Sequence, residues 1–114
     1  MSFGDVPSVP AAEVPAELSD SVILLDVRED EEWADGHAPG ALHIPMVDVP
    51  ARMAEIDMDA EVYVVCRSGG RSMRVVEYLN QVGFDAVNVV DGMVAWQKCG
   101  RPLTADGGRS AKIY

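Results

Sequence analysis

The sequence predicts an α/β domain with a parallel five-stranded sheet flanked by helices on both faces. Three observations lead there. The runs "VILLDV", "EVYVV" and "AVNVV" are continuously apolar, as strands buried on both faces are. Helical patterns alternate with them, which is the order a parallel sheet requires. The chain has 114 residues, one ordinary domain, enough to bury a core without disulfides.

The elements follow in order. Residues 1–4 are expected to be loose, and 5–9 a short edge strand, since Pro7 cannot sit in a central one. Pro10 suits the first turn of a helix over "AAEVPAEL", which Pro15 makes short or irregular. Residues 22–27 are a buried strand, "EDEEWADG" a short acidic helix closed by Gly36, and "ALHIP" a brief extended piece stopped by Pro45. Residues 49–56 read as helix and 61–65 as the second buried strand. From Ser72, Met73, Val76 and Leu79 form a helical stripe that Gly83 ends. Residues 86–90 are the third buried strand, and "MVAWQKCG" is a last helix capped by Gly100. The domain is placed at 5–104, with a flexible tail over 105–114.

Apolar residues make up 48% and charged residues 25%, a soluble balance. No apolar run approaches the ~20 residues of a membrane span, and the amino terminus lacks the pattern of a signal peptide. The cytoplasm is the expected location. A net charge of −10 disfavours nucleic acid and anionic membranes as partners. Cys66 and Cys99 form no Cys-x-x-Cys pair, and with His37 and His43 they give no zinc spacing, so no metal or cofactor is implied.

Charge is uneven. Glu29, Asp30, Glu31 and Glu32 form an acidic run, while Cys66 to Val76 holds three arginines and no acid. Those arginines sit in "CRSGGRSMR", between a strand and a helix, where the helix dipole favours acids. Local stability does not explain them, but a bound anion does. Gly69 and Gly70 permit a tight turn that aims successive N–H groups inward, and these groups, Arg67 and Arg71 together favour an anion. The same field favours an ionised sulfur on Cys66. A lone cysteine is most often a small core residue. Glycines and arginines in this register serve no packing purpose, so Cys66 is read as reactive.

The chain resembles the single-domain rhodanese (thiosulfate sulfurtransferase-like) family. "LLDVREDEEWADGHAPGALHIP", "VVCRSGGRS" and "VVDGMVAWQKCGRPL" look like its three signatures, in order, and the resemblance runs from about Val9 to Leu103. It implies that Cys66 attacks the outer sulfur of thiosulfate or a related donor, releases sulfite and holds a persulfide. A thiol, a protein or cyanide then takes the sulfur. Within the binding loop, Arg67, Ser68, Gly69, Gly70, Arg71 and Ser72 would stabilise the persulfide, with Arg67 and Arg71 on the sulfonate oxygens. Asp26 and Arg28 would brace the loop, and Trp96 would support the site. A second reading is a persulfide carrier with little turnover.

Phosphatases and arsenate reductases of this fold place five residues between Cys and Arg. Here Cys66 and Arg71 enclose four, which disfavours both activities. The closing signature often carries two glycines, whereas Met93 follows Gly92 here, and Ala38 stands where a larger apolar residue is common. His37 reads as a turn histidine bonded to backbone, and Trp33 as a core or rim anchor. Cys99 reads as packed and inert rather than resolving, and Arg74 as a solvated residue one turn into the helix.

Overall fold

The structure, a computed structural model, describes residues 6–114. Five parallel strands form one sheet in the order β1-β5-β4-β2-β3. They are β1 (Ser8–Pro10), β2 (Val22–Asp26), β3 (Leu42–His43), β4 (Glu61–Val65) and β5 (Asp85–Val90). The helices are α1 (Asp30–Asp35), α2 (Val49–Arg52), α3 (Gly70–Gln81) and α4 (Gly92–Lys98). The edge strand expected at 5–9 is observed at 8–10; Asp5 and the loose start expected at 1–4 lie outside the described residues.

Alternation along the central strands divides the core in two. Leu25, Val62, Val64 and Ala86 pack with Val75, Val76 and Leu79 of α3 and Val49 of α2. Leu24, Val65 and Val89 face the other way, against Met93 and Trp96 of α4 and the early residues Ala11 and Val14. The period of two thus supplies one apolar wall to each helical layer. Register sets the functional end: Asp26 pairs with Val65, so β2 and β4 finish side by side, and Arg28 and Cys66 emerge at the same rim.

Local departures have local causes. The helix expected from Ala11 is one 3-10 turn, Ala11–Glu13, because Pro15 removes a helical donor. Arg101 takes over, donating to the carbonyls of Ala11, Val14 and Pro15 at 2.8, 2.6 and 3.2 Å. The helix expected at 49–56 is α-helical only to Arg52 and then tightens into a 3-10 turn, Met53–Glu55. The helix expected from Ser72 begins two residues earlier, at Gly70.

The stretch expected as a flexible tail lies packed on the domain. The Lys112 N–H donates to the Asp35 carbonyl at 2.9 Å, and the Ile113 N–H to Gln97 Oε1 at 3.0 Å. Ile113 keeps 6% of its surface exposed, inside the α4-side core. One apolar side chain, isolated among polar neighbours, makes no periodic pattern in the sequence, yet it fills a space that the fold leaves open.

Among the described residues, no helix is long and apolar enough to cross a membrane.

Candidate active site

The site forms where β4 hands over to α3. Cys66 follows the last residue of β4 and is only 1% exposed. The chain must reverse within three residues to start α3 at Gly70, and it does so through Gly69, whose φ of +118° is costly for a side chain. That turn aims the Gly69 N–H at Cys66 Sγ, 3.0 Å away. Gly70 needs no special backbone, and a Cβ built on it meets nothing within 4 Å. Of the two glycines expected to shape the loop, Gly69 is the conformational one, while Gly70 leaves the mouth open.

Ser72, fully buried on the first turn of α3, places its Oγ 3.3 Å from Cys66 Sγ. The same oxygen lies 3.1 Å from the Gly69 carbonyl and 2.6 Å from Asn88 Oδ1. A hydroxyl has one proton to donate, so these three neighbours share it. Asn88 is buried on β5, and sequence reasoning did not single it out. Its signal was present, since one amide inside the apolar run "AVNVV" must have a buried partner.

The loop is also gripped from behind. Asp91 (φ +58°) and Gly92 (φ +50°) turn the chain sharply out of β5, and the first amides of α4 then meet the loop. The Met93 N–H donates to the Cys66 carbonyl at 2.8 Å and the Val94 N–H to the Arg67 carbonyl at 3.0 Å. With these carbonyls drawn toward α4, the loop is free to turn the Gly69 N–H to the sulfur. Met93 is fully buried in the α4-side core, so the departure at this position alters packing rather than the pocket wall.

The arginines depart from expectation. Neither guanidinium donates to the sulfur. Arg71 forms a two-pronged pair with Glu32 at 2.7 and 2.9 Å, and Arg67 Nε donates to the main-chain oxygen of Tyr114. The cause is the acidic α1 alongside the loop. Its capping box sets Glu32 at the third helical position, where Oε1 accepts the Glu29 N–H at 2.9 Å and the carboxylate reaches Arg71. The Arg71 hydrogen bond holds the Glu32 carboxyl below its ordinary value; burial opposes it, and the Glu29 N–H assists. Arg71 is raised, chiefly by its bond to Glu32, against the effect of burial, with a further contribution from the Glu32 charge.

This pair gives a pH prediction. The folded pKa of Glu32 is depressed, so its stabilisation is present above about pH 4.5 and is lost as pH falls through the folded value. The side chains of Arg71 and Glu32 remain 32% and 28% exposed, so screening limits the effect to about 1 kcal/mol. Glu32→Gln is expected to lower the melting temperature modestly at pH 7, with the difference from wild type shrinking as pH falls below about 4.5. A difference that grows on acidification would refute it.

Asp26 and Arg28 are a buried pair, with Arg28 Nε to Oδ1 at 2.9 Å and Nη2 to Oδ2 at 2.7 Å. Arg28 also donates to the Glu32 carbonyl at 3.3 Å and the Gly36 carbonyl at 2.7 Å. The brace therefore holds α1, which meets the loop through Glu32 and Arg71. Trp96 is away from the sulfur, buried in the α4-side core, with its indole N–H on the Pro102 carbonyl at 2.9 Å. Ser68 and Arg74 are exposed. His37 Nδ1 lies 2.7 Å from the Trp33 carbonyl, and its ring stacks on Trp33 at 3.6 Å, as a turn histidine would. Cys99 is exposed at the far end of α4, its Sγ on the Trp96 carbonyl at 3.4 Å, rather than packed as expected. Among the described residues no three His, Cys, Asp or Glu side chains converge as metal ligands.

The arrangement presents one sulfur at the amino end of the 12-residue α3, with an amide donor, a hydroxyl and a nearby guanidinium. Such surroundings place hydrogen-bond donors around the sulfur and around an atom bonded to it.

The family described as "Rhodanese-like domain" matches residues 10–99. The Bacillus subtilis candidate sulfurtransferase YtwF is 48% identical over 90 residues, covering 79% of this chain and 87% of its own. A protein named sulfurtransferase from Allochromatium vinosum is 42% identical over 91 residues, covering 79% and 85%. Among solved structures, a rhodanese-like domain protein from Staphylococcus aureus superposes with a TM-score of 0.75 at 37% identity, covering 94% of this chain and all of its own.

Proposed function

The chain belongs to the rhodanese-like family, and on that footing we propose that it is a sulfurtransferase whose Cys66 carries the sulfur as a persulfide. Thiosulfate or a related sulfane donor supplies it, and a thiol or cyanide receives it. The observation that carries this reading is the 3.0 Å bond from the Gly69 N–H to Cys66 Sγ, which supports a negative sulfur at the base of the loop.

The chemistry balances as two displacements. The Cys66 thiolate attacks the outer sulfur of thiosulfate, a Cys66–sulfur bond forms, and the bond to the sulfonate sulfur breaks with its electron pair leaving on sulfite. An acceptor thiolate then attacks the outer sulfur of the persulfide, and the electron pair of the cleaved S–S bond returns to Cys66. In this reading Arg71, which Glu32 tethers beside the loop, and Arg67 hold the donor's oxygens during the first step. A cytoplasmic setting suits the reaction because it keeps thiols reduced, and both cysteines are free.

Protein incubated with thiosulfate is expected to gain the mass of one sulfur atom at Cys66, release stoichiometric sulfite, and lose that mass to cyanide as thiocyanate. An unchanged mass with thiosulfate and with organic hydropersulfides would overturn the proposal. The near-complete enclosure of Cys66 also favours the carrier reading, because enclosure protects a persulfide. A loaded protein that survives excess thiol for hours would select it.

A further inference from the structure

Among the described residues, two cavities beside the reactive loop differ in size and charge. One, of about 110 Å³, lies between α1 and the packed tail; its lining includes Arg67 together with Glu31, Glu32 and Asp35. The other is an open groove of about 630 Å³ lined by Met46, Gly70, Arg71, Met73 and Arg74. We propose that this groove seats the organic body of the thiol that takes sulfur from Cys66, and that the thiol is a small one with an apolar body and a carboxylate. The inference rests on the transfer reading above and names its acceptor.

Position supports it first. Gly70 and Arg71 open α3 directly after the turn that holds the sulfur, so a molecule in the groove lies beside the reactive loop. Volume supports it second, since about 630 Å³ falls within the usual range of small-molecule sites, whereas the opposite cavity is too small for more than a few atoms. The walls come third. Met46 and Met73 offer flexible thioethers that fit apolar groups of varied shape, and a smaller hollow beside Met46 and Arg74 extends the surface over Val49, Pro50, Val75 and Tyr78.

Charge decides the class. The protein carries a net charge of −10, yet no carboxylate lines this groove. Arg28, Arg52, Arg71 and Arg109 pair with carboxylates, while Arg67 and Arg101 donate to main-chain oxygens. Arg74 is exposed and, among the described residues, has no ion pair or side-chain hydrogen bond. A free guanidinium at the border of an apolar groove matches a carboxylate joined to an apolar body. In the transfer step the acceptor's thiolate bonds to the outer sulfur, Cys66 leaves as thiolate, and the product is the acceptor's hydropersulfide anion.

Two measurements test the proposal. In amide NMR spectra, 3-phenylpropionate, which has the apolar body and carboxylate but no thiol, is expected to shift Met46 and Gly70 to Arg74. Shifts confined to Glu31 to Asp35 and Ile113 to Tyr114 would overturn it. In kinetics, Cys66 persulfide is discharged to 3-mercaptopropionate or to cysteamine, and the ratio of the two rates is compared between variants, so that intrinsic thiol reactivity cancels. Arg74→Glu is expected to lower that ratio about tenfold, and Arg74→Gln by less, as a screened surface charge would. A ratio unchanged within about twofold, or a defect seen only with protein thiols, would also overturn it. Failure of Cys66 to acquire sulfur at all is a separate result, visible by mass. It ends the transfer reading, and the acceptor's role with it, whatever the spectra show.

Discussion

Cys66→Ala is expected to abolish sulfur transfer while leaving the fold standing. The reaction needs an atom that can hold a second sulfur covalently, and the methyl group of alanine cannot. Of the two thiols, Cys99 lies at the other end of α4 with its sulfur on the Trp96 carbonyl, outside the cradle. The rate should fall at least about a thousandfold, as it does when a covalent nucleophile is removed. Stability should change by only about 1 kcal/mol, because one small buried group is lost and the backbone bonds remain. The Met93 amide still has the residue-66 carbonyl, and Ser72 still has Asn88 and the Gly69 carbonyl. Sulfite release assayed beside a urea melt separates the two effects. A variant that folds and still releases sulfite would remove Cys66 from the reaction.

The second large effect belongs to a residue without a side chain. A Cβ built on Gly92 lies 2.2 Å from the Cys66 carbonyl oxygen and 2.7 Å from that of Arg67, and its φ of +50° is already unfavourable for alanine. These neighbours are backbone and cannot swing aside. Gly92→Ala must therefore push the loop away from α4 or break the Met93 and Val94 hydrogen bonds. A cost of about 2–4 kcal/mol is expected. Displacing the sulfur by even 1 Å should lower transfer about a hundredfold. Gly70→Ala is the contrasting variant for stability, since its Cβ would meet nothing, and it should change the urea midpoint little. Equal melts for the two variants would mean that the contact at Gly92 does not constrain the loop.

Much of the fold could be read from the sequence because buried parallel strands announce themselves as continuous apolar runs. "VILLDV", "EVYVV" and "AVNVV" occupy β2, β4 and β5, and the position of Cys66 at a strand end followed directly. What escaped depends on distance along the chain. Glu32 and Arg71 are 39 positions apart, and nothing in either segment announces that one neutralises the other. Ile113 looked like part of a loose tail because its burial comes from Met93 and Trp96, which no local pattern connects to it. Asn88 could have been found by asking what a buried amide bonds to. Trp96 lay in a recognised motif yet serves the core, so a motif located the element without fixing the role of each side chain.

The grip of α4 on the loop has a consequence for how such a protein can change. The pocket's contour is secured through peptide groups at positions 66, 67, 93 and 94, none of which depends on the identity of Arg67 or Ser68. Those two letters can be rewritten while the socket keeps its form, so new donor preferences are open to selection, or to a library, without redesign of the scaffold.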